Sequence, residues 1–239
     1  MGAANAEVIR WGPERARTGP WRGDRRVAHL TPLGDAPAPS VAFVRRAVEQ
    51  LAERGFEEVV TPALSSTEQP GFLAAGFEVR ERLHLLTRPL SGPLPRVPRG
   101  TVDKAGGGER AAVVRVDNRA FPPFWWLDGD GLEDAIRATP HNRFRVVRSG
   151  EGVVAGYAIT GRAGRRGYLQ RLAVDPDHQR QGLGRALVAD GLRWLVRWRA
   201  DRAVVNTPVG NDAAVALYEG LGFHREPVGL CVLARDLTP

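Results

Sequence analysis

Apolar and polar positions along the 239 residues fall into two kinds of run. Leu183, Leu187, Gly191, Trp194 and Trp198 recur every three to four residues, and Leu192 and Leu195 widen the same face. That spacing predicts a long amphipathic helix. Just before it, Leu169, Leu172, Ala173 and Val174 make an apolar strand, which Asp175-Pro176 stops because proline has no amide to continue a ladder. A buried strand, a glycine-bearing loop and a helix thus follow one another from Tyr168 to Trp198.

Similar patterns divide the rest of the chain. Residues 1 to about 22 are polar, rich in Gly, Pro and Arg, and expected to be loosely held. A strand is expected at Arg26–Leu30. A helix over Val41–Arg54 comes after it, with Ser40 as N-cap, Val44, Val48 and Leu51 on one face, and Gly55 as its stop. Next come strand Glu57–Thr61, a short helix near Gln69–Ala75 and strand Arg80–Thr87. Pro89–Glu109 reads as a linker, with Leu94–Val97 or Thr101–Asp103 as candidate first strand of the second domain. Arg110–Arg119 has helical spacing of Ala111, Val114 and Asn118; Phe121–Trp126 is a rigid aromatic loop, and Gly131–Ala138 a second helix. Strands Arg143–Ser149 and Val153–Thr160 are joined by the turn Gly150-Glu-Gly152, and Arg162–Gly167 reads as an exposed basic loop. After the long helix come strand Ala203–Thr207, a short helix capped by Asn211 and ended by Gly222, and a last strand, Val228–Arg235.

The first third resembles the last. At an offset of 146, Thr61-Pro62 falls on Thr207-Pro208, Ser65 on Asn211, Phe72 on Tyr218 and Gly76-Phe77 on Gly222-Phe223. We infer an internal repeat of helix, strand, Thr-Pro loop, short helix and closing strand. The first copy has Gly34-Asp-Ala-Pro-Ala-Pro39 where the second has its glycine loop, and prolines remove amides that an anion would need.

The loop at Gly182 and Gly184 stands where a helix begins. Unpaired amides and partial positive charge at such an end suit an anion, and glycines let the backbone approach it. Arg180 and Arg185 flank the glycines and can bond a phosphate. A nucleotide P-loop fails, since Gly184-Arg185-Ala186 lacks Lys-Ser/Thr; a dinucleotide fingerprint fails, since Leu187 stands for its third glycine. Glycines serving only the turn remain an open alternative.

Gln179-Arg180-Gln181-Gly182-Leu183-Gly184 fits the Q/R-x-x-G-x-G/A signature of the GNAT superfamily of acyl-CoA-dependent N-acetyltransferases. Asn211-Asp-Ala-Ala-Val-Ala-Leu-Tyr-Glu-Gly-Leu-Gly-Phe223 resembles the family's N-x-x-A-x-x-L-Y-x-x-x-G-F element, so the chain is identified as similar to that family in two ordered blocks. The resemblance implies an α/β (α+β) GNAT fold, with a mixed, mostly antiparallel central sheet flanked by helices, preceded by a smaller degenerate half unit. Residues 1–95 are expected to form the degenerate domain and 96–239 the catalytic one. It implies acetyl-CoA as cosubstrate, with its pantetheine arm on Leu172, Ala173 and Val174 and its pyrophosphate on Gln179, Arg180, Gln181, Gly182, Leu183, Gly184 and Arg185. Asn211 would order that arm or the loop beside it, and Tyr218 would be the general acid. The segment between the first two helices commonly lines the acceptor site, which makes Trp125 and Trp126 substrate candidates, with Asn206 as a third. The acceptor is expected to be a primary amine, on a small molecule or a protein N-terminus. No base is assigned: Gln170, Arg171 and Asn206 are not bases at neutral pH, and a water chain or a carboxylate such as Glu133 or Asp117 stays open for that role. Central strands of this type are similar to those of N-terminal-alanine acetyltransferases that modify ribosomal proteins.

Composition changes this picture little. The net charge of +7 suggests a nucleic-acid or ribosome-associated protein, but Lys104 is the only lysine and arginines are spread along the whole chain, so nucleic acid is not the expected partner. A non-catalytic acyl-CoA sensor is the other alternative. Cys231 is alone in an apolar run and the five histidines show no ligand spacing, so neither a disulfide nor a metal site is expected. No apolar run approaches membrane-spanning length, the start MGAANAEVIRWG lacks a secretory signal, and Ala6 breaks the myristoylation pattern. The expectation is a cytoplasmic monomer or homodimer.

Overall fold

Strand-forming alternation, helical spacing and Gly/Pro punctuation divide the chain into short elements. They are described here in a computed structural model covering residues 7–95 and 102–238. In chain order they are β1 (Glu7–Trp11), β2 (Glu14–Trp21), β3 (Asp24–Pro32), α1 (Val41–Glu53), β4 (Glu58–Val60), α2 (Pro70–Ala74) and β5 (Glu78–Pro89). Then come β6 (Asp103–Lys104), α3 (Arg110–Ala120), α4 (Gly129–Arg137), β7 (His141–Arg148), β8 (Val154–Ala163), β9 (Arg166–Val174) and α5 (Leu183–Arg197). The chain closes with β10 (Arg202–Pro208), α6 (Asp212–Glu219), β11 (His224–Arg225) and β12 (Leu230–Asp236).

These elements form two compact units that are not contiguous in sequence. The first holds residues 1–85, 206–210 and 226–239; the second holds 86–205 and 211–225. This division differs from a single cut between residues 95 and 96, because the last strand of the chain belongs to the first unit.

In the first unit the strand order is β1-β2-β3-β4-β12-β5. Residues 7–21 are a correction to the loosely held N-terminus: β1 and β2 pair antiparallel from Glu7↔Thr18 to Trp11↔Glu14, and β2 pairs with β3. Their turns use left-handed residues at Gly12 and at Arg22-Gly23, a local chemistry that composition alone hides. β3 and β4 run parallel over three residue pairs, Val27↔Glu58 to His29↔Val60. Ser40 caps α1, its Oγ accepting from the Phe43 amide at 3.2 Å. The helix buries Phe43, Val44, Ala47, Val48 and Leu51 against Ala28, Leu30, Val59, Phe72 and Phe77. Cys231 is buried in this core, as its apolar run suggests.

His29, on β3, is held neutral: its pKa is lowered to about 4, first by burial and then by the charge of Arg17. Because the folded value lies below the usual 6.5, the unfolded chain binds the proton first. This contribution to stability is therefore complete above about pH 6.5 and is lost as pH falls toward 4. Its size is up to about 3 kcal/mol from about 1.4 kcal/mol per unit. Urea unfolding at pH 7 and pH 4.5 is expected to show a loss that His29→Gln removes in part; an identical pH dependence in both proteins contradicts it.

In the second unit β9, β8, β7 and β6 form an antiparallel run, with β10 parallel on the other edge of β9. Of the two candidate first strands, Leu94–Val97 lies partly outside the described residues; of Thr101–Asp103, Thr101 lies outside them and Asp103 alone is in a strand, opening β6. Arg162–Gly167 is mostly ladder rather than loop: β8 and β9 pair through Ala163↔Arg166, leaving a two-residue turn at Gly164-Arg165. α5 buries Leu187, Gly191, Leu192, Trp194 and Leu195, whereas Trp198 follows its last turn, stays 45% exposed and stacks on His141 at 5.4 Å. α3 presents a face rotated by one position from the expected one. Val113, Val116 and Asp117 are buried, because Asp117 turns inward to meet an arginine on β9.

Candidate active site

The parallel ladder between β9 and β10 spans only Arg166↔Arg202, Gly167↔Ala203 and Tyr168↔Val204. Beyond it, β9 runs six residues further, Leu169 to Val174, while its other edge stays paired to β8 through Gly156↔Val174. One edge of Leu172, Ala173 and Val174 therefore has backbone donors and acceptors outside that parallel ladder. A bulge lies at the start of this stretch: Ile159 pairs with Arg171 and Thr160 with Leu169, so Gln170 is the extra residue. Bulges of this kind are frequent beside active sites.

After Val174 the chain makes a one-turn helix at Pro176–His178, and Gln179 Nε2 donates back to the Val174 carbonyl at 3.2 Å. Arg180 (φ +63°) and Gly182 (φ +80°) are both left-handed. Such a conformation costs a non-glycine residue about 1–2 kcal/mol, so the strain at Arg180 marks a turn held by its surroundings. The first α5 hydrogen bond of this end runs from the Ala186 amide to the Gly182 carbonyl at 3.0 Å. The amides of Leu183, Gly184 and Arg185 thus have no intrahelical acceptor. A Cβ built on Gly182 meets nothing within 4 Å, so that side of the turn is open. A Cβ on Gly184 lies 3.3 Å from Leu217, which makes this glycine a packing contact with α6. Arg180, Gln181 and Arg185 are exposed, and Arg185 also donates to the Gly220 carbonyl at 3.2 Å.

Tyr218 projects from α6 into a cluster with Leu169, Val188, Leu192 and Phe223, with Leu172 against it. Its ring lies 5.6 Å from that of Phe223, and burial raises its phenol pKa above the ordinary value of 10.0. The helix ends in a paired-amide cap: Phe223 N donates to Tyr218 O at 3.0 Å and Gly222 N to Glu219 O at 2.9 Å, with Gly222 left-handed at φ +80°. Arg88 adds a bond from its guanidinium to the Leu221 carbonyl. Asn211 caps the start of α6, its Oδ1 accepting from Ala214 N at 3.2 Å.

The first unit repeats this end of the structure. Phe77 N donates to Phe72 O at 3.1 Å, Gly76 N to Leu73 O at 3.0 Å, and Gly76 has φ +86°. Arg235 caps Ala75 O just as Arg88 caps Leu221 O. Its helix N-terminus is different. The Glu14 carboxylate accepts from both the amide and the hydroxyl of Ser40, so the protein's own anion sits at the start of α1. Gly71 has no Cβ because the Pro39 carbonyl fills that place. Phe72 is fully buried. Phe72→Leu is expected to lower unfolding stability by about 1 kcal/mol and leave turnover unchanged; a selective loss of turnover contradicts a supporting role for this unit.

The two carboxylates considered as bases are both engaged. Asp117 is wholly buried and takes four donors: Leu127 N (3.0 Å) and Arg171 Nη2 (2.9 Å) on Oδ1, and Arg171 Nε (2.8 Å) and the Tyr157 hydroxyl on Oδ2. A carboxylate with its acceptor sites filled offers none to an incoming amine. Glu133 is bonded to Arg110, which holds its carboxyl below the usual range. Trp125 is half-buried, and its carbonyl accepts from Arg171; Trp126 is 43% exposed, with Nε1 donating to the Phe121 carbonyl at 2.7 Å. Asn206 is exposed and belongs to the first unit, whereas both tryptophans belong to the second. The Asp117–Arg171 pair went unread in the sequence; its signal was an aspartate three and four residues from Val114 and Val113 on an apolar face. Among the described residues no cluster of metal ligands occurs, and no helix is long and apolar enough to cross a membrane.

A parting parallel pair, a glycine turn opening a helix and a buried tyrosine after the next strand agree with a GNAT-type fold. Residues 111–223 match the Acetyltransferase (GNAT) family. The chain is similar to mycothiol acetyltransferase of Streptomyces coelicolor, 33% identical over 159 residues that cover 62% of this chain and 52% of that protein. It is also similar to the [ribosomal protein bS18]-alanine N-acetyltransferase of Escherichia coli, 40% identical over 77 residues, 32% of this chain and 52% of the relative. The chain thus spans about half the length of these curated relatives. Among solved structures, a tandem GNAT protein from the clavulanic acid biosynthesis pathway matches 97% of this chain and 82% of its own at TM-score 0.69 and 14% identity. A GCN5-related N-acetyltransferase from Sphaerobacter thermophilus matches 95% and 78% at TM-score 0.67 and 13% identity. At that identity the likeness is one of fold.

Proposed function

We propose that the chain transfers an acetyl group from acetyl-CoA to a primary amine, by direct attack in a ternary complex. The observation that carries this reading is the open left-handed turn at Gly182, which faces a helix start with three amides free of intrahelical acceptors, beside the edge of β9 that lies outside the parallel ladder. Acetyl-CoA fits such a place: its diphosphate suits the amides of Leu183 to Arg185 with the guanidinium of Arg180, and its amide-bearing arm suits Leu172 to Val174. Bound there, it supplies an activated acyl thioester.

The chain's own groups then divide the work. Amides along the free edge of β9 stabilise the charge that develops on the carbonyl oxygen. Tyr218, kept protonated by burial, donates its proton to the departing thiolate. The amine attacks uncharged. As the C–N bond forms and the C–S bond breaks it loses one proton to water, since Asp117 and Glu133 are held by arginines. The Tyr218 phenolate is reprotonated from that water. Asn211 fixes the α6 start that carries Tyr218. The first unit, with Glu14 at its own helix start, binds no acetyl-CoA and supports the sheet elements that it shares with the chain's C-terminus. The relatives' names, a mycothiol acetyltransferase and a ribosomal-protein alanine N-acetyltransferase, support two acceptor classes, a small molecule or an alanine of a protein.

An acceptor screen tests the reading. Purified protein with acetyl-CoA is offered small primary amines, amino acids and a peptide beginning with alanine, and free thiol is followed. Amine-dependent thiol release with at least one acceptor is expected. Acetyl-CoA binding without release from any acceptor would favour a sensor instead.

A further inference from the structure

The transfer chemistry leaves the most buried ion pair among the described residues of the second unit without a task. Arg171 sits on β9 one residue beyond the bulge, and its side chain is 9% exposed. Its guanidinium grips both oxygens of Asp117 on α3, donates to the Trp125 carbonyl, and lies 3.7 Å from the centre of the Phe121 ring. Asp117 in turn holds the Leu127 amide. The segment between these anchors, Phe121 to Leu127, is stiffened internally by two prolines and by bonds from Trp125 N to Pro122 O (2.9 Å) and Trp126 N to Pro123 O (3.1 Å). One planar fork thus fastens both ends of an aromatic loop to the strand whose free edge would carry the acyl group.

We propose that Arg171 is a positioning residue that sets the acceptor wall: through Asp117, Trp125 and Phe121 it fixes the aromatic loop against β9 and so determines which amine approaches the thioester. The proposal rests on the acetyl-transfer reading. It assigns the charge of Arg171 to the loop and none of it to substrate, so acceptors are sorted by the shape of the aromatic loop. Lysine cannot replace the fork, because an ammonium makes no bidentate planar contact.

The test uses Arg171→Lys and the pair Arg171→Met with Asp117→Leu, which removes both charges and leaves no lone buried ion. Measured are kcat and KM for the best acceptor of the screen (the alanine peptide or a small amine), the acetyl-CoA Kd, and hydrogen exchange of residues 121–127. Both variants are expected to raise acceptor KM at least tenfold and to speed exchange at Leu127, with the acetyl-CoA Kd changed less than twofold. Unchanged acceptor KM and exchange overturn the proposal, and so does an equal loss of acetyl-CoA affinity, which marks a purely structural pair. Fast exchange of the Leu127 amide in the wild-type protein overturns it without any variant. Absence of transfer by the wild type to every acceptor defeats the functional reading itself, whereas normal transfer with indifferent variants defeats this proposal alone.

Discussion

Gly182→Glu is expected to weaken acetyl-CoA binding at least 100-fold while the protein stays folded. Two costs combine. The backbone at φ +80° penalises any side chain by about 1–2 kcal/mol, part of which appears as lost stability. The new carboxylate also enters the open side of the turn, where nothing lies within 4 Å of a Cβ. A charge placed there opposes a diphosphate by about 4 kcal/mol at 4 Å in a surface-like dielectric, against the roughly 2.7 kcal/mol that a 100-fold change requires. Gly182→Ala separates the two, since it carries the strain without the charge. Its affinity loss is expected to be small, with a drop in unfolding stability near 1 kcal/mol. Calorimetric titration of both variants checks this; normal acetyl-CoA affinity in Gly182→Glu would place the diphosphate elsewhere.

Tyr218→Phe is expected to lower kcat by about 10²–10³-fold, in the usual range for a positioned proton donor, and to leave acetyl-CoA affinity nearly intact. The phenol is buried among Leu169, Val188 and Phe223, so removing its oxygen leaves the ring packing in place. Burial raises its pKa, so the group stays protonated through neutral and moderately alkaline pH. The wild-type rate should therefore not decline near pH 10 through ionisation of this residue. Unchanged turnover in the phenylalanine variant would remove Tyr218 from the chemistry.

Much of the local structure around the candidate site was legible because it is encoded within one stretch. The Asp175-Pro176 stop, the glycines and the 3.6-residue spacing after them lie within one stretch, and the structure puts strand, left-handed turn and helix there. The repeat was legible for a similar reason. Gly76-Phe77 and Gly222-Phe223 close two helices through the same cap geometry, which demands glycine at one position. Long-range pairing was not legible. Nothing near Leu230 says that the last strand lies between β4 and β5. Nothing near Glu14 says that its carboxylate meets Ser40, 26 positions away. Asp117 stood only as one possible base, and nothing near it says that Arg171, 54 positions on, takes its carboxylate. Side chains that answer to distant partners leave only a weak trace in spacing.

The central claim is that the turn at Gly182 holds the diphosphate of acetyl-CoA through main-chain nitrogens. Titration calorimetry of the pure wild-type protein with acetyl-CoA tests it most directly. Saturable one-to-one uptake in the micromolar range, lost in Gly182→Glu, is the expected result; no heat of binding with either acetyl-CoA or free CoA would contradict it.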